Sequence, residues 1–197
     1  MMDVLCLFTR TPSIGSCKTR LIPLLGETGA QDAHVELVES QIARLAKSKQ
    51  TRSLWVTRPS DQVDRWADMY KASVEFQEGA DLGQRMLHSF VHEFRHGANY
   101  VCLIGGDCPE ITQVYVDQAF AELQEHAVVI GPTEDGGYGL IALREPNAEL
   151  FRNISWSTPQ VLGETLQITA ALGLSVKLLD KIWDVDTPTD WRRYKGR

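Results

Sequence analysis

Short apolar runs alternate with longer amphipathic stretches along most of the chain, and this limits the available folds more than any other feature. Residues 4–9, 53–57, 100–104, 128–131 and 175–179 read as strands. Several lack polar alternation, as strands covered on both faces do. Helical patterns lie between them at about 31–47, 61–70, 82–95, 113–126 and 158–172. This alternation predicts a largely parallel sheet with helices on both sides. Residues 138–143 read as a further strand. It follows Asp135-Gly136-Gly137, so a tight turn and an antiparallel course are expected. Ser157-Thr158-Pro159-Gln160 and Thr187-Pro188-Thr189-Asp190 each join a capping hydroxyl to an early proline, which marks two helix starts.

The chain has 197 residues and no repeat or linker-like segment, so one domain over 1–197 is expected. Its 43% hydrophobic and 23% charged residues are ordinary for a folded chain. A net charge of −6 argues against general binding to nucleic acid or an anionic membrane. Phosphate binding would therefore rest on a local basic cluster. No apolar run reaches the roughly eighteen residues of a membrane span. The apolar start lacks a basic flank and reads as a first strand, not a signal peptide. Cys6, Cys17, Cys102 and Cys108 form no CxxC pair, and Cys6 and Cys102 sit in apolar runs. Reduced thiols and a cytoplasmic location are expected.

Ligands of open parallel sheets bind beyond the carboxyl ends of the strands. The loop at 9–20 places Arg10, Lys18 and Arg20 near the flexible Gly15. Such cations, with backbone N–H groups, suit a di- or triphosphate, although a solvated basic loop would read the same. A P-loop is excluded, because Pro12 and Cys17 stand where its glycines must be. Gly-x-Gly-x-x-Gly is absent too.

Three acidic positions follow other strands. Asp107 comes after Gly105-Gly106, and Asp184 and Asp186 are two residues apart, on one side of the chain if it is extended. One Asp from each loop would suit a hard divalent cation that keeps phosphate and water ligands. Turn and capping roles are the alternatives. Asp135 in Glu134-Asp135-Gly136-Gly137-Tyr138 reads equally as a general base or as a turn residue. His88, His92 and His96 recur every four residues, but Met86, Leu87, Phe90, Val91 and Phe94 centre nearly opposite. The histidines are therefore expected on the solvated face. Trp55, Trp66 and Trp156 read as packing residues. Arg192, Arg193 and Lys195 read as complements to a helix C-terminus.

Six phrases occur in order: Gly15-x-x-Lys18-Thr19-Arg20-Leu21, Asp81-Leu82-Gly83-x-Arg85-Met86, Gly105-Gly106-Asp107-Cys108-Pro109, Asp135-Gly136-Gly137-Tyr138, Trp156-Ser157-Thr158-Pro159 and Asp184-x-Asp186-Thr187-Pro188. Together they resemble the radical-SAM/selenodomain-associated transferase family, of arsenosugar-biosynthesis glycosyltransferase type. The resemblance implies a three-layer, GT-A-like (Rossmann-like) α/β fold of the nucleotide-diphospho-sugar transferase superfamily. It implies that the loop with Arg10, Gly15, Lys18 and Arg20, together with Gly106, holds the nucleotide phosphates. Gly79, Asp81 and Arg85 would border the base or ribose, and Asp107 and Asp186 would hold Mg²⁺ or Mn²⁺. In one departure, Asp107 is followed by Cys108-Pro109 where many such enzymes have Asp-x-Asp.

The expectation is a metal-dependent glycosyltransferase with a nucleotide-sugar donor and a small-molecule acceptor. Asp135 would take the acceptor proton, and Lys18 and Arg20 would stabilise the leaving group. The basic loop is also similar to that of sugar-1-phosphate and phosphoenolpyruvate nucleotidyltransferases, which use an NTP. A non-catalytic nucleotide- or sugar-binding module is the third reading.

Overall fold

The computed structural model describes residues 2–196. It contains a seven-stranded sheet in the order β3-β2-β1-β4-β6-β5-β7. The strands are β1 (Met2–Phe8), β2 (Thr51–Val56), β3 (Ser73–Phe76), β4 (Ala98–Gly105), β5 (Val128–Pro132), β6 (Tyr138–Leu143) and β7 (Val176–Leu178). All pairings are parallel except those of β6, which runs antiparallel to β4 and β5. The expected turn at Asp135-Gly136-Gly137 reverses the chain between β5 and β6.

The helices are α1 (Ile22–Leu45), α2 (Asp61–Tyr70), α3 (Leu82–Arg95), α4 (Gln113–Glu122), α5 (Val161–Ala171) and α6 (Pro188–Lys195). Alternate residues of β1 serve opposite faces of the sheet. Leu5 and Leu7 join Val38 and Ile42 of α1, Trp66 of α2 and Val116 of α4. Val4 and Cys6 join Phe90 of α3 and Phe151, with Leu162 and Leu166 of α5 packed against them. Both faces are covered, which is why the strand is apolar from Val4 to Phe8. The result is the expected three-layer α/β architecture. A third cluster of Leu21, Ala33, Leu37, Trp183, Val185 and Trp191 fastens α6 and the segment before it to α1.

The differences from expectation have local causes. β3 is a short edge strand with no fully buried residue, so it lacks a periodic apolar signal. α1 starts at Ile22 but breaks at Gly26, whose φ of 73° and ψ of 172° leave the helical region. His88 and His92 are half-buried rather than solvated. Their rings meet Trp55 edge-on, with centroids 5.5 and 5.2 Å away. The reason is a polar seam under α3, where the buried Glu93 accepts a 3.0 Å hydrogen bond from Trp55 Nε1. Only His96 is exposed as expected. All four cysteines are buried and free. No helix among the described residues is long and apolar enough to cross a membrane.

Candidate active site

The carboxyl ends of β1, β4 and β5 open into a cleft of about 800 Å³. Arg10, Lys18, Arg20, Asp81, Arg85, Gly106, Asp107, Asp135 and Asp186 all line it, so the separate loops converge as expected. Gly15 and Gly79 stand outside the lining and shape the loops behind it. Gly79 has φ +144°, and a Cβ there would lie 2.7 Å from Gln84 Cβ, so the turn into α3 requires glycine. Its carbonyl accepts a 3.0 Å hydrogen bond from Arg85 Nε and holds that cation at the rim.

The centre of the cleft is an ionic cluster drawn from distant parts of the chain. Lys18 Nζ donates to Asp107 Oδ2 at 2.6 Å and lies 3.7 Å from Asp186 Oδ1. Arg20 donates to the other Asp186 oxygen. The Lys18 side chain is only 7% exposed, whereas those of Asp107 and Asp186 are 36% and 35% exposed. Backbone pairing sets this geometry: Val185 N–H donates to the Asp107 carbonyl at 3.0 Å, which ties the segment carrying Asp184 and Asp186 to the end of β4. The Ile182 N–H donates to the Pro132 carbonyl at 2.9 Å and ties the same segment to β5.

Burial pulls the Lys18 ammonium down, but the charge and hydrogen bond of Asp107, joined by the charges of Asp186 and Asp184, together hold Lys18 above its ordinary value. Burial likewise pushes Asp107 up, and the Lys18 charge and hydrogen bond reverse this, so its carboxyl stays below the usual range. Lys18 also lowers Asp184, but too weakly to offset the opposing effects. Burial first, then the neighbouring Asp107 and Asp135, push it up to about 7. It too lines the cleft. The sequence shows Asp184 only as the companion of Asp186, because the carboxylates that crowd it come from two other loops. Burial also pushes the Cys108 thiol well up, so Cys108 remains a neutral packing group beside Asp107.

Asp135 lines the cleft from the loop after β5, close enough to Asp184 to act on its carboxyl. Its Oδ1 accepts from Thr133 Oγ1 at 2.5 Å and from Gly137 N–H at 3.0 Å, so one oxygen is committed to the turn itself. His34 donates through Nε2 to the Arg10 carbonyl at 2.9 Å, and burial holds its imidazole below the ordinary value. Tyr138, Trp156, Ser157 and Thr158 also line the cleft and were not expected there. Lys18 and Ser157 both hold left-handed backbone, with φ 47° and 64°. Such strain concentrates at functional sites.

The donor set suits a hard divalent cation. Asp107 and Asp186 direct oxygens toward one cationic point, and Asp184 and Asp135 stand close by. Among the described residues no three His, Cys, Asp or Glu side chains form a ready cage. Phosphate and water would complete the shell, as Mg²⁺ ordinarily requires.

Several known proteins are similar to this chain. A phosphoenolpyruvate guanylyltransferase from Sphaerobacter thermophilus is 23% identical over 186 residues, covering 93% of this chain and 88% of that protein. A solved structure from Desulfovibrio desulfuricans G20, named for nucleotide-diphospho-sugar transfer, is 28% identical. It matches with a TM-score of 0.89 and covers 98% of this chain and 87% of its own. A 4-diphosphocytidyl-2C-methyl-D-erythritol synthase from Anaerococcus prevotii DSM 20548 shares the fold at 10% identity, with a TM-score of 0.66 and coverage of 100% and 97%. The fold is thus the α/β type found in nucleotidyl- and nucleotide-sugar-transferase neighbours. The model of a family described as an uncharacterized protein conserved in bacteria (DUF2064) matches residues 41–158, well over half the chain, and the protein belongs to that family.

Proposed function

We propose that the protein is a nucleotidyltransferase, which joins an NTP to a small acceptor and releases pyrophosphate. The observation that carries this reading is the convergence of Lys18 and Arg20 with Asp107 and Asp186 in one cleft. The near full-length similarity to a phosphoenolpyruvate guanylyltransferase supports it, and reverses the order of preference drawn from sequence.

In this reading Lys18 and Arg20 hold the β- and γ-phosphates, and Asp81 and Arg85 border the base or ribose. An acceptor phosphate oxygen attacks the α-phosphorus and forms a new P–O bond. The bond from the α-phosphorus to the bridging oxygen breaks, and pyrophosphate leaves with that electron pair. No proton has to move, which agrees with an Asp135 carboxylate engaged in its own turn. Lys18 and Arg20 stabilise the charge that collects on the leaving group. A divalent cation, Mg²⁺ or Mn²⁺, held by Asp107 and Asp186 would add charge neutralisation when bound.

Purified protein should release pyrophosphate from GTP in the presence of phosphoenolpyruvate, the pair named for the relative, or from another NTP and phosphorylated acceptor. Release of a nucleoside diphosphate from a nucleotide sugar, without pyrophosphate from any NTP, would instead establish glycosyl transfer. The neighbour named for nucleotide-diphospho-sugar transfer favours that second reading. There Asp135 would take the proton of an acceptor hydroxyl. The resemblance to radical-SAM-associated transferases fits either chemistry.

A further inference from the structure

Lys18 occupies the point on which Asp107 and Asp186 converge. Its Nζ is 2.6 Å from one carboxylate and 3.7 Å from the other, and its side chain is almost wholly covered. It reaches that point from a left-handed backbone position that only the surrounding fold could impose. We propose that Lys18 is a built-in occupant of the metal seat, and that a divalent cation enters only with a polyphosphate that draws the ammonium off Asp107. This rests on the reading of the cleft as a metal–nucleotide site.

Two penalties oppose entry of a cation alone. A divalent ion between the same carboxylates meets the Lys18 charge at close range, where repulsion is poorly screened. Moving Lys18 aside without a new partner leaves a covered ammonium unpaired. A di- or triphosphate removes both penalties, because it gives Lys18 an anionic partner and gives the metal further oxygen ligands. Arg20 does not share this role. It pairs with Asp186 from outside and its side chain is 67% exposed, so water already screens it.

The test is a Mn²⁺ titration followed by the EPR signal of free Mn²⁺, on wild-type protein, Lys18→Met and Arg20→Met. Each is titrated with and without a non-hydrolysable NTP analogue. Without nucleotide, Lys18→Met is expected to bind Mn²⁺ about tenfold or more tighter than wild type, and Arg20→Met less than about threefold tighter. With the analogue, wild type should gain about tenfold or more, while Lys18→Met gains less. Equal Mn²⁺ affinity in wild type and Lys18→Met, or an equal gain in Arg20→Met, would overturn the proposal. Should circular dichroism show that Lys18→Met is misfolded, Lys18→Gln replaces it. Wild-type Mn²⁺ affinity unchanged by bound analogue would also overturn it. Failure of the analogue to bind wild type by calorimetry would instead overturn the nucleotide reading, and the nucleotide-free comparison would still decide the role of Lys18.

Discussion

At the scale of single residues, Lys18 and Asp135 separate the two chemistries. Under nucleotidyl transfer, Lys18→Ala is expected to lower kcat/KM by about 100-fold or more, the usual loss for a preorganised charge at a transition state. Asp135→Asn should cost less than about fivefold, since an amide oxygen can still accept from Thr133 and Gly137. Steady-state kinetics on both variants makes the comparison, and a larger loss in Asp135→Asn would favour a base-dependent transfer. Asp184 gives a pH signature. Its folded carboxyl titrates at about 7 against an ordinary 3.8, so the native state holds a proton that the unfolded chain has released. Its contribution is therefore fully present below about pH 4 and is lost as pH rises through 7. In chelator-treated samples, urea stability of wild type should fall relative to Asp184→Asn across that window, then run parallel above about pH 8. A constant difference over the whole range would contradict the crowded-carboxylate description. Asp184 shows where sequence reading stops: its carboxylate was visible, but its environment belongs to loops more than forty residues away in the chain.

At the scale of elements, the cap of α6 and the turn before β6 are the most legible features. By contrast, α5 starts only at Val161, after an N-cap at Gln160 with no side-chain cap bond, because Ser157 takes a left-handed turn instead of capping. Thr187-Pro188-Thr189-Asp190 folds into a capping box in which Asp190 Oδ2 accepts from Thr187 N–H at 2.7 Å and from Asp186 N–H at 3.3 Å. The device that starts α6 thus also braces a cleft aspartate. Thr187→Ala is expected to cost about 1 kcal/mol, read from the urea midpoint, and an unchanged midpoint would show that the cap carries no weight. The turn before β6 was equally plain, though its reason was not. Gly136 has φ +90°, and a Cβ there would sit 2.3 Å from the Pro159 carbonyl oxygen, so the turn packs against the start of the α5 region. Gly136→Ala should destabilise the fold by about 2 kcal/mol or more in the same assay. β3 was invisible because an edge strand needs no buried stripe. The two helix faces differed for a similar reason: the half-buried histidines of α3 rest on Trp55, and no periodicity reveals a polar seam beneath a helix.

At the scale of the whole molecule, strand–helix alternation is enough to predict the layers and the end of the sheet at which the cleft opens. It could not give the strand order, which depends on long-range pairing. That order brings the carboxyl ends of β1 and β4 side by side, and so brings Lys18 to Asp107 across 89 residues of sequence. A ligand that joins these loops should stabilise the folded chain in proportion to the logarithm of its concentration over its dissociation constant. The most direct test is a crystal structure of the protein grown with a non-hydrolysable NTP analogue and Mn²⁺, with the metal located by anomalous scattering. The expected result places the triphosphate against Lys18 and Arg20 and the metal on Asp107 and Asp186. A nucleotide bound elsewhere while Lys18 still pairs with Asp107, or a metal remote from both aspartates, would contradict it.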